Sequence, residues 1–256
     1  MELQSVCLPL IFSGLVPLFL ECESISGGIN LDIAQAPFML SLRRNGEHVC
    51  GAAVISPDWG ITAAHCFPLP KAAFTVRSGS VQRDSGGMLH DVTERFTHPK
   101  YAKNSQDYDI AVFRVDPPFE MSETTAAIEL PPKTSVELRT RWASIAGWGA
   151  VPTQEDDNDA TSKNLKYALV PRIPDDICAE NYKAVHALTP RQICYGYQEG
   201  GADTCKGDSG GPLYNTDNIL IGITSWGDTC GEKYTPGVYM DITLVMDWIH
   251  NVTGIR

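Results

Sequence analysis

The stretch GDSGGP, residues 207–212, places a single serine between glycines. Glycines on both sides allow a sharp turn that exposes the Ser209 hydroxyl and gathers backbone N–H groups into one concave space. A serine hydroxyl is a poor nucleophile at neutral pH unless a nearby base accepts its proton. Taken alone, the stretch is as consistent with an ordinary glycine-rich turn, so the rest of the chain must supply the base.

Two other stretches carry residues that suit this chemistry. TAAHC (62–66) contains His65, and DYDIAVF (107–113) places Asp109 at the head of an apolar run. A histidine can accept the serine proton, and a buried carboxylate needs a partner such as an imidazole N–H. Each residue also has a simpler interpretation, with His65 as a structural or surface histidine and Asp109 as the last loop residue before a strand.

The apolar patterning predicts an all-β protein with one clear helix. Short apolar or alternating runs, separated by Gly, Pro, Asn and Asp, indicate strands and favour a barrel or sandwich. These runs are FMLSL (38–42), AAVI (52–55), FTVRSG (74–79), IAVFRV (110–115), ASIAG (143–147), PLY (212–214) and ILIGITSWG (219–227). Helical spacing of apolar residues over 241–253 predicts a C-terminal helix with Asp241 as its cap.

In chain order, His65, Asp109 and Ser209 with their neighbours resemble the trypsin-like (chymotrypsin-fold) serine proteases. The resemblance runs from Ile25 to the C-terminal helix and includes PFMLSL (37–42), GWG (147–149), SWG (225–227) and PGVY (236–239). It implies two six-stranded antiparallel β-barrels with the active site between them and a C-terminal α-helix. It also implies a catalytic triad of these three residues, with the backbone N–H groups of Gly207 and Ser209 as the oxyanion hole.

The resemblance further implies where substrate binds. The family positions correspond to Asp203, Thr204, Ser225, Trp226, Gly227 and Gly237. Asp203 would lie at the floor of the primary pocket, where a carboxylate pairs with Arg or Lys. Gly227 and Gly237 would leave the pocket open, and the backbone groups of residues 225 and 227 would pair with an extended substrate. We therefore expect cleavage after Arg or Lys.

The matched region begins within CESISGG, residues 22–28. In the family, a cut before such an isoleucine frees an α-amine that pairs with the aspartate preceding the nucleophile, here Ile25 and Asp208. Most relatives carry Arg or Lys before this isoleucine, but Ser24 stands there in this chain. Signal peptidase could cut after Ser24, or after Cys22 with later removal of a dipeptide. A third explanation is that the protein is not activated as its relatives are.

An apolar leader, VCLPLIFSGLVPLFL (6–20), precedes this junction. It is shorter than the roughly twenty residues of a membrane-spanning helix and fits a signal peptide. Residues 1–5 lack the positive charge that such a peptide usually carries. The alternative interpretation is a buried N-terminal strand. We predict a signal peptide at 1–24, with 23–24 as a very short propeptide in the two-step route, and a secreted peptidase domain at 25–256. The connection between its halves is expected around 116–133, where paired prolines exclude regular strand.

Composition and cysteine use agree with this interpretation. The 256 residues include 20 Lys and Arg against 31 acids, for a net charge of −11, which argues against nucleic-acid binding. Of eight cysteines, two lie in the predicted signal peptide (1–24), and the remaining even set is typical of disulfides, although spacing alone leaves the pairing open. The resemblance implies the pairs Cys50–Cys66, Cys178–Cys194 and Cys205–Cys230.

We expect no cofactor and no metal. The chain has no Cys-x-x-Cys pair, and residues 80–91, which correspond to the family's calcium loop, lack its leading Glu. Expected partners are protein or peptide substrates, with protein protease inhibitors as further candidates, no nucleic acid, no membrane, and a monomeric state. Asn251 begins a glycosylation sequon.

The alternative function is a protease-fold binding or regulatory protein with little or no catalysis. Such proteins usually arise in this family by loss of a triad residue. Because all three triad residues are present, the enzyme is favoured.

Overall fold

Short antiparallel strands form where apolar and polar side chains alternate along the chain. The structure is a computed structural model that describes residues 25, 28–68, 72–132, 135–150 and 161–255, so the predicted signal peptide at 1–24 lies outside the described residues. In β5, Phe74, Val76 and Ser78 are buried while the residues between them are half-exposed, as expected for a strand with one face against a core.

The strands in chain order are β1 (Ile29–Asn30), β2 (Met39–Arg44), β3 (Glu47–Ser56), β4 (Trp59–Thr62), β5 (Phe74–Ser78), β6 (Met88–Thr97), β7 (Ala111–Asp116), β8 (Trp142–Gly147), β9 (Lys166–Ile173), β10 (Gln192–Tyr195), β11 (Pro212–Tyr214), β12 (Leu220–Trp226) and β13 (Gly237–Asp241). Two α-helices are described, α1 (Asp175–Tyr182) and α2 (Met246–Thr253).

The first six-stranded barrel has the closed order β2-β3-β4-β7-β6-β5. Asn45 and Gly46 join β2 to β3, and both have positive φ, 54° and 85°. An Asn-Gly pair with positive φ at both positions is the preferred two-residue hairpin turn, because its twist matches that of the strands. The barrel is filled by aliphatic side chains, among them Leu40, Leu42, Ala52, Val54, Ile61, Val76 and Val112.

The second barrel runs β8-β9-β10-β13-β12-β11 and closes through the pairing of β11 with β8. Two-residue β1 adds to β9 beside it. Ile25 is fully buried and belongs to the core of this barrel, together with Ile145, Ile193 and Ile221. The two barrels and the C-terminal helix confirm the predicted fold class.

The C-terminal helix begins later than the sequence pattern predicts. Asp241 is wrong as its cap, because its carboxylate accepts the N–H of Thr243 at 2.9 Å and caps a separate 3-10 turn, Ile242–Leu244. The α-helix then begins at Met246 and ends at Gly254, whose left-handed conformation (φ 74°) terminates it.

Three disulfides lie within the described residues: Cys50–Cys66, Cys178–Cys194 and Cys205–Cys230. They are the pairs that the family resemblance implies. Among the described residues, neither helix has the length and apolar character needed to cross a bilayer.

Candidate active site

Loops of the two barrels bring His65, Asp109 and Ser209 together. His65 lies on a 3-10 turn, Ala64–Cys66, directly after β4, and the Cys50–Cys66 disulfide ties this turn to β3. Asp109 precedes β7, and Ser209 precedes β11 of the other barrel. A backbone hydrogen bond from Gly51 N–H to the Ser209 carbonyl, 2.8 Å, joins the barrels at Ser209.

The carboxylate of Asp109 is buried and accepts three hydrogen bonds. His65 Nδ1 donates to Oδ2 at 2.7 Å, the His65 backbone N–H donates to Oδ1 at 2.9 Å, and the Ser225 hydroxyl donates to Oδ2 at 2.6 Å. Because Nδ1 holds its proton toward the carboxylate, Nε2 is the proton-accepting nitrogen of the neutral ring. The sequence predicted the His65–Asp109 pairing but gave the side chain of Ser225 no such role.

The turn around Ser209 is shaped by its glycines. Gly207 (φ 98°) and Gly210 (φ 80°) adopt left-handed conformations that other residues rarely take. His48, which sequence reasoning missed, donates from Nε2 to the Gly207 carbonyl at 2.9 Å and accepts the Ser41 hydroxyl on Nδ1 at 2.9 Å. Burial lowers the pKa of His48 to about 4, so the ring stays neutral and holds this carbonyl in place.

His65 and Ser209 share one cavity of about 270 Å³. The same cavity is lined by Gln106, Asp203, Thr204, Cys205, Lys206, Thr224, Ser225, Trp226, Gly227, Asp228, Thr229 and Cys230. Of the predicted substrate-binding residues, only Gly237 is not part of this lining. It stands behind Asp203, and a Cβ there would lie 2.9 Å from Asp203 Oδ1, whereas a Cβ on Gly227 would meet nothing within 4 Å.

Asp203 is the buried acid of the cavity, with 4% of its surface exposed. Burial raises its pKa to about 7, although its carboxylate accepts the N–H groups of Thr204 (2.8 Å) and Gly231 (3.2 Å), which act in the opposite direction. A buried acid that lines a cleft is suited to pair with a cationic group of a ligand.

The predicted activation residues are both buried, Ile25 in the core of the second barrel and Asp208 on the loop before β11. Asp208 is buried, and its two oxygens accept the N–H groups of Gly149 (2.7 Å) and Cys205 (3.0 Å). Burial raises the pKa of Asp208 to about 6. In the uncut chain the nitrogen of Ile25 is a peptide N–H, so it carries no charge to offset this carboxylate.

The remaining predicted positions lie elsewhere. Asn251 is exposed on α2. Within the described part of the chain, one group has the spacing of metal ligands, Cys50, His65 and Cys66, but its two sulfur atoms are bonded to each other in a disulfide.

Comparisons with known proteins agree with this geometry. The family model described as Trypsin matches residues 25–249. Trypsin 5G1 of Aedes aegypti is 35% identical over 232 residues, covering 90% of this chain and 85% of that protein. The vitellin-degrading protease of Bombyx mori is 35% identical over 234 residues, covering 91% of this chain and 87% of that protein. The chain therefore belongs to the trypsin family of serine endopeptidases.

Proposed function

We propose that this protein is a secreted endopeptidase that cleaves peptide bonds after Arg or Lys through an acyl-enzyme on Ser209. The observation that carries the proposal is the buried Asp203 carboxylate in the cavity that His65 and Ser209 also line. A substrate side chain that reaches Asp203 would present its own carbonyl group to Ser209.

The proposed mechanism assigns one role to each triad residue. Ser209 Oγ attacks the substrate carbonyl while His65 Nε2 accepts the hydroxyl proton. Asp109 holds the His65 ring by Nδ1 (2.7 Å) and stabilises the imidazolium that forms. His65 then protonates the leaving amine, and a water molecule, deprotonated by His65, releases the acyl group and regenerates the Ser209 hydroxyl.

Negative charge develops on the substrate oxygen during both steps. We assign its stabilisation to the backbone N–H groups of Gly207 and Ser209. Each such donor typically contributes about 3–4 kcal/mol to transition-state stability. The hydrogen bond from His48 to the Gly207 carbonyl, 2.9 Å, supports this assignment because it fixes the peptide that follows Gly207.

The proposed specificity follows from the chemistry of the cavity. A guanidinium or ammonium group would pair with the buried Asp203 carboxylate, and the Thr204 hydroxyl would accept a further hydrogen bond. Gly227 lines the cavity without a side chain to fill it, and Gly237 leaves room for the Asp203 carboxylate, with which a side chain at 237 would collide. Backbone groups of residues 225 and 227 would pair with an extended substrate beside Trp226.

Activation is proposed to require a free amine at Ile25. The side chain of Ile25 already lies in the core of the second barrel, and Asp208 is buried, which raises its pKa to about 6. An α-ammonium at Ile25 that reached Asp208 would offset the cost of that buried carboxylate and stabilise the Ser209 turn. Removal of residues 1–24 at Ser24 would create this amine during secretion, without a trypsin-like activating enzyme.

The test compares substrates that differ only in the residue before the cleaved bond. Wild-type enzyme should hydrolyse Arg and Lys peptides much faster than Phe or Leu peptides, and Ser209→Ala should abolish both hydrolysis and labelling by a fluorophosphonate. Faster turnover of Phe or Leu peptides would contradict the specificity, and full activity of Ser209→Ala would contradict the nucleophile. N-terminal sequencing of active secreted protein should begin at Ile25, and another start would contradict the activation model.

The predicted partners and state follow as proposals. A cleft of this kind would also accept the extended binding loop of a protein protease inhibitor. We propose a monomer, with size-exclusion chromatography of the secreted enzyme as the test.

A further inference from the structure

The loop segment 105–108 forms part of the cavity wall in an unusual backbone conformation. Gln106, which lines the cavity, has φ 48°, and Tyr108 has φ 53°. Non-glycine residues rarely adopt such angles, and they persist where surrounding contacts over-determine them. The segment belongs to the first barrel, where it lies between β6 and β7.

The strongest of these contacts come from the second barrel. Asp107 receives Arg191 Nε on Oδ1 at 2.9 Å and Arg191 Nη2 on Oδ2 at 2.5 Å, a two-point ion pair. The hydroxyl of Thr189 donates to Oδ1 at 2.8 Å. Desolvation raises the pKa of Asp107, but the hydrogen bonds and charge of Arg191 outweigh it and hold the pKa below its usual value.

Two other contacts act on the same segment. Gln192 donates from Nε2 to the carbonyl of Gln106 at 3.3 Å, and the Arg191 guanidinium lies 5.0 Å from the centre of the Tyr108 ring. The same ring stacks on His98 at 4.4 Å and lies 5.6 Å from the Lys100 Nζ, both in the first barrel's own loop. Three neighbouring residues of the second barrel, 189, 191 and 192, therefore fix a strained segment of the first.

The triad does not depend on this ion pair for its own geometry. The Asp109 carboxylate is held by His65 through two hydrogen bonds and by Ser225 through a third. If the ion pair were lost, the cavity wall at Gln106 would move while Asp109 kept its partners. Such a loss would change substrate binding more than the chemical step.

We infer that Arg191 and Asp107 form a positioning pair that sets the cavity wall at Gln106 and thereby the binding of extended substrates. This inference rests on the proposed function of the same cavity. The pair acts through Gln106. It contacts neither the triad nor the substrate side chain that would occupy the pocket. Its effect should therefore depend on how much of the cleft a substrate fills.

The experiment measures kcat and KM for two anilide substrates of the mature enzyme. One is N-benzoyl-arginine anilide, which fills the pocket alone, and the other is a tripeptide anilide ending in arginine. A displacement of about 1 Å can cost on the order of 100-fold, and we expect Arg191→Gln to raise KM for the tripeptide by about tenfold. The kcat, its pH profile and the KM of benzoyl-arginine anilide should stay unchanged.

Three further variants complete the design. Arg191→Lys keeps the charge but not the two-point contact, so its KM should fall between wild type and Arg191→Gln. Asp107→Asn removes the charge from the other side and supplies the test if Arg191→Gln does not fold. Arg172→Gln removes a different ion pair of the second barrel, with Asp175 at 3.0 Å, and should change neither substrate.

The outcomes separate the inference from the proposed function. Equal losses on both substrates, a shifted pH profile, or no change in the tripeptide KM would each overturn the positioning role. A lower melting temperature with unchanged KM would assign the pair to stability alone and overturn it as well. Failure of the wild-type enzyme to cleave either arginine substrate would instead contradict the proposed function.

Discussion

Acid should weaken the binding of basic substrates through Asp203 itself. Burial favours the neutral carboxyl and raises its pKa to about 7, so the carboxylate that would attract arginine is lost as the pH falls below that value. Unfolding is not needed for this effect. The free enzyme simply presents a neutral pocket floor to a cationic side chain.

The magnitude follows from the fraction of Asp203 that is ionised. With a pKa of about 7, the ionised fraction falls tenfold for each further pH unit, to about 1% at pH 5. A substrate that binds only the carboxylate form should then show a KM about 100-fold higher than at pH 9. This factor corresponds to about 2.7 kcal/mol of binding free energy.

The assay uses two peptide anilides that differ only in arginine or its uncharged analogue citrulline. Any effect of pH on the chemical step itself is shared by both substrates, so it cancels in the ratio of their kcat/KM values. The ratio should fall by about two orders of magnitude from pH 9 to pH 5 in the wild type and stay flat in Asp203→Asn. A wild-type ratio that does not change with pH would refute the reasoning.

Three other changes have defined outcomes. Gly237→Ala puts a Cβ 2.9 Å from Asp203 Oδ1, so kcat/KM for arginine peptides should fall at least about tenfold. The circular dichroism spectrum should stay unchanged. An unaltered kcat/KM would contradict the proposed pocket. Ser225→Ala removes a 2.6 Å hydrogen bond to buried Asp109, so the free energy of unfolding should fall by about 1.5–3 kcal/mol in thermal unfolding, together with a lower kcat. Ser225→Thr, which keeps the hydroxyl, is the control. Replacing both Cys50 and Cys66 by alanine should cost about 2–5 kcal/mol in denaturant unfolding, and a stability equal to wild type would show that the bridge does not constrain the turn that carries His65.

The sequence predicted the parts of this molecule that are encoded locally. His65 and Ser209 each lie within a short motif, and the barrel strands follow from apolar runs bounded by turn residues. β6 is harder to predict: it begins at Met88, inside the segment assigned to the altered calcium loop, and its first two residues, Met88 and Leu89, are exposed. Helix α1 buries only Cys178 and Tyr182, too little for a helical pattern to stand out.

The contacts that sequence could not supply join residues far apart in the chain. His48 and Gly207 are 159 residues apart, and Arg191 and Asp107 are 84 apart. Neither pair has a local pattern, because their geometry is created by the packing of one barrel on the other. For the same reason, the side-chain role of Ser225 toward Asp109, 116 residues away, appears only in the folded structure.

The backbone hydrogen bond between Gly51 and Ser209 has a consequence for the order of synthesis. A Cβ on Gly51 would lie only 2.9 Å from the Gly211 Cα, so the two barrels meet backbone to backbone beside Ser209. The ribosome makes the first barrel long before Ser209, and Ser225 and the strands that complete the second barrel emerge later still. By the proposed mechanism, the growing chain therefore carries the proposed base His65 and its partner Asp109 before the proposed nucleophile, and it gains no hydrolytic activity before the second barrel is complete.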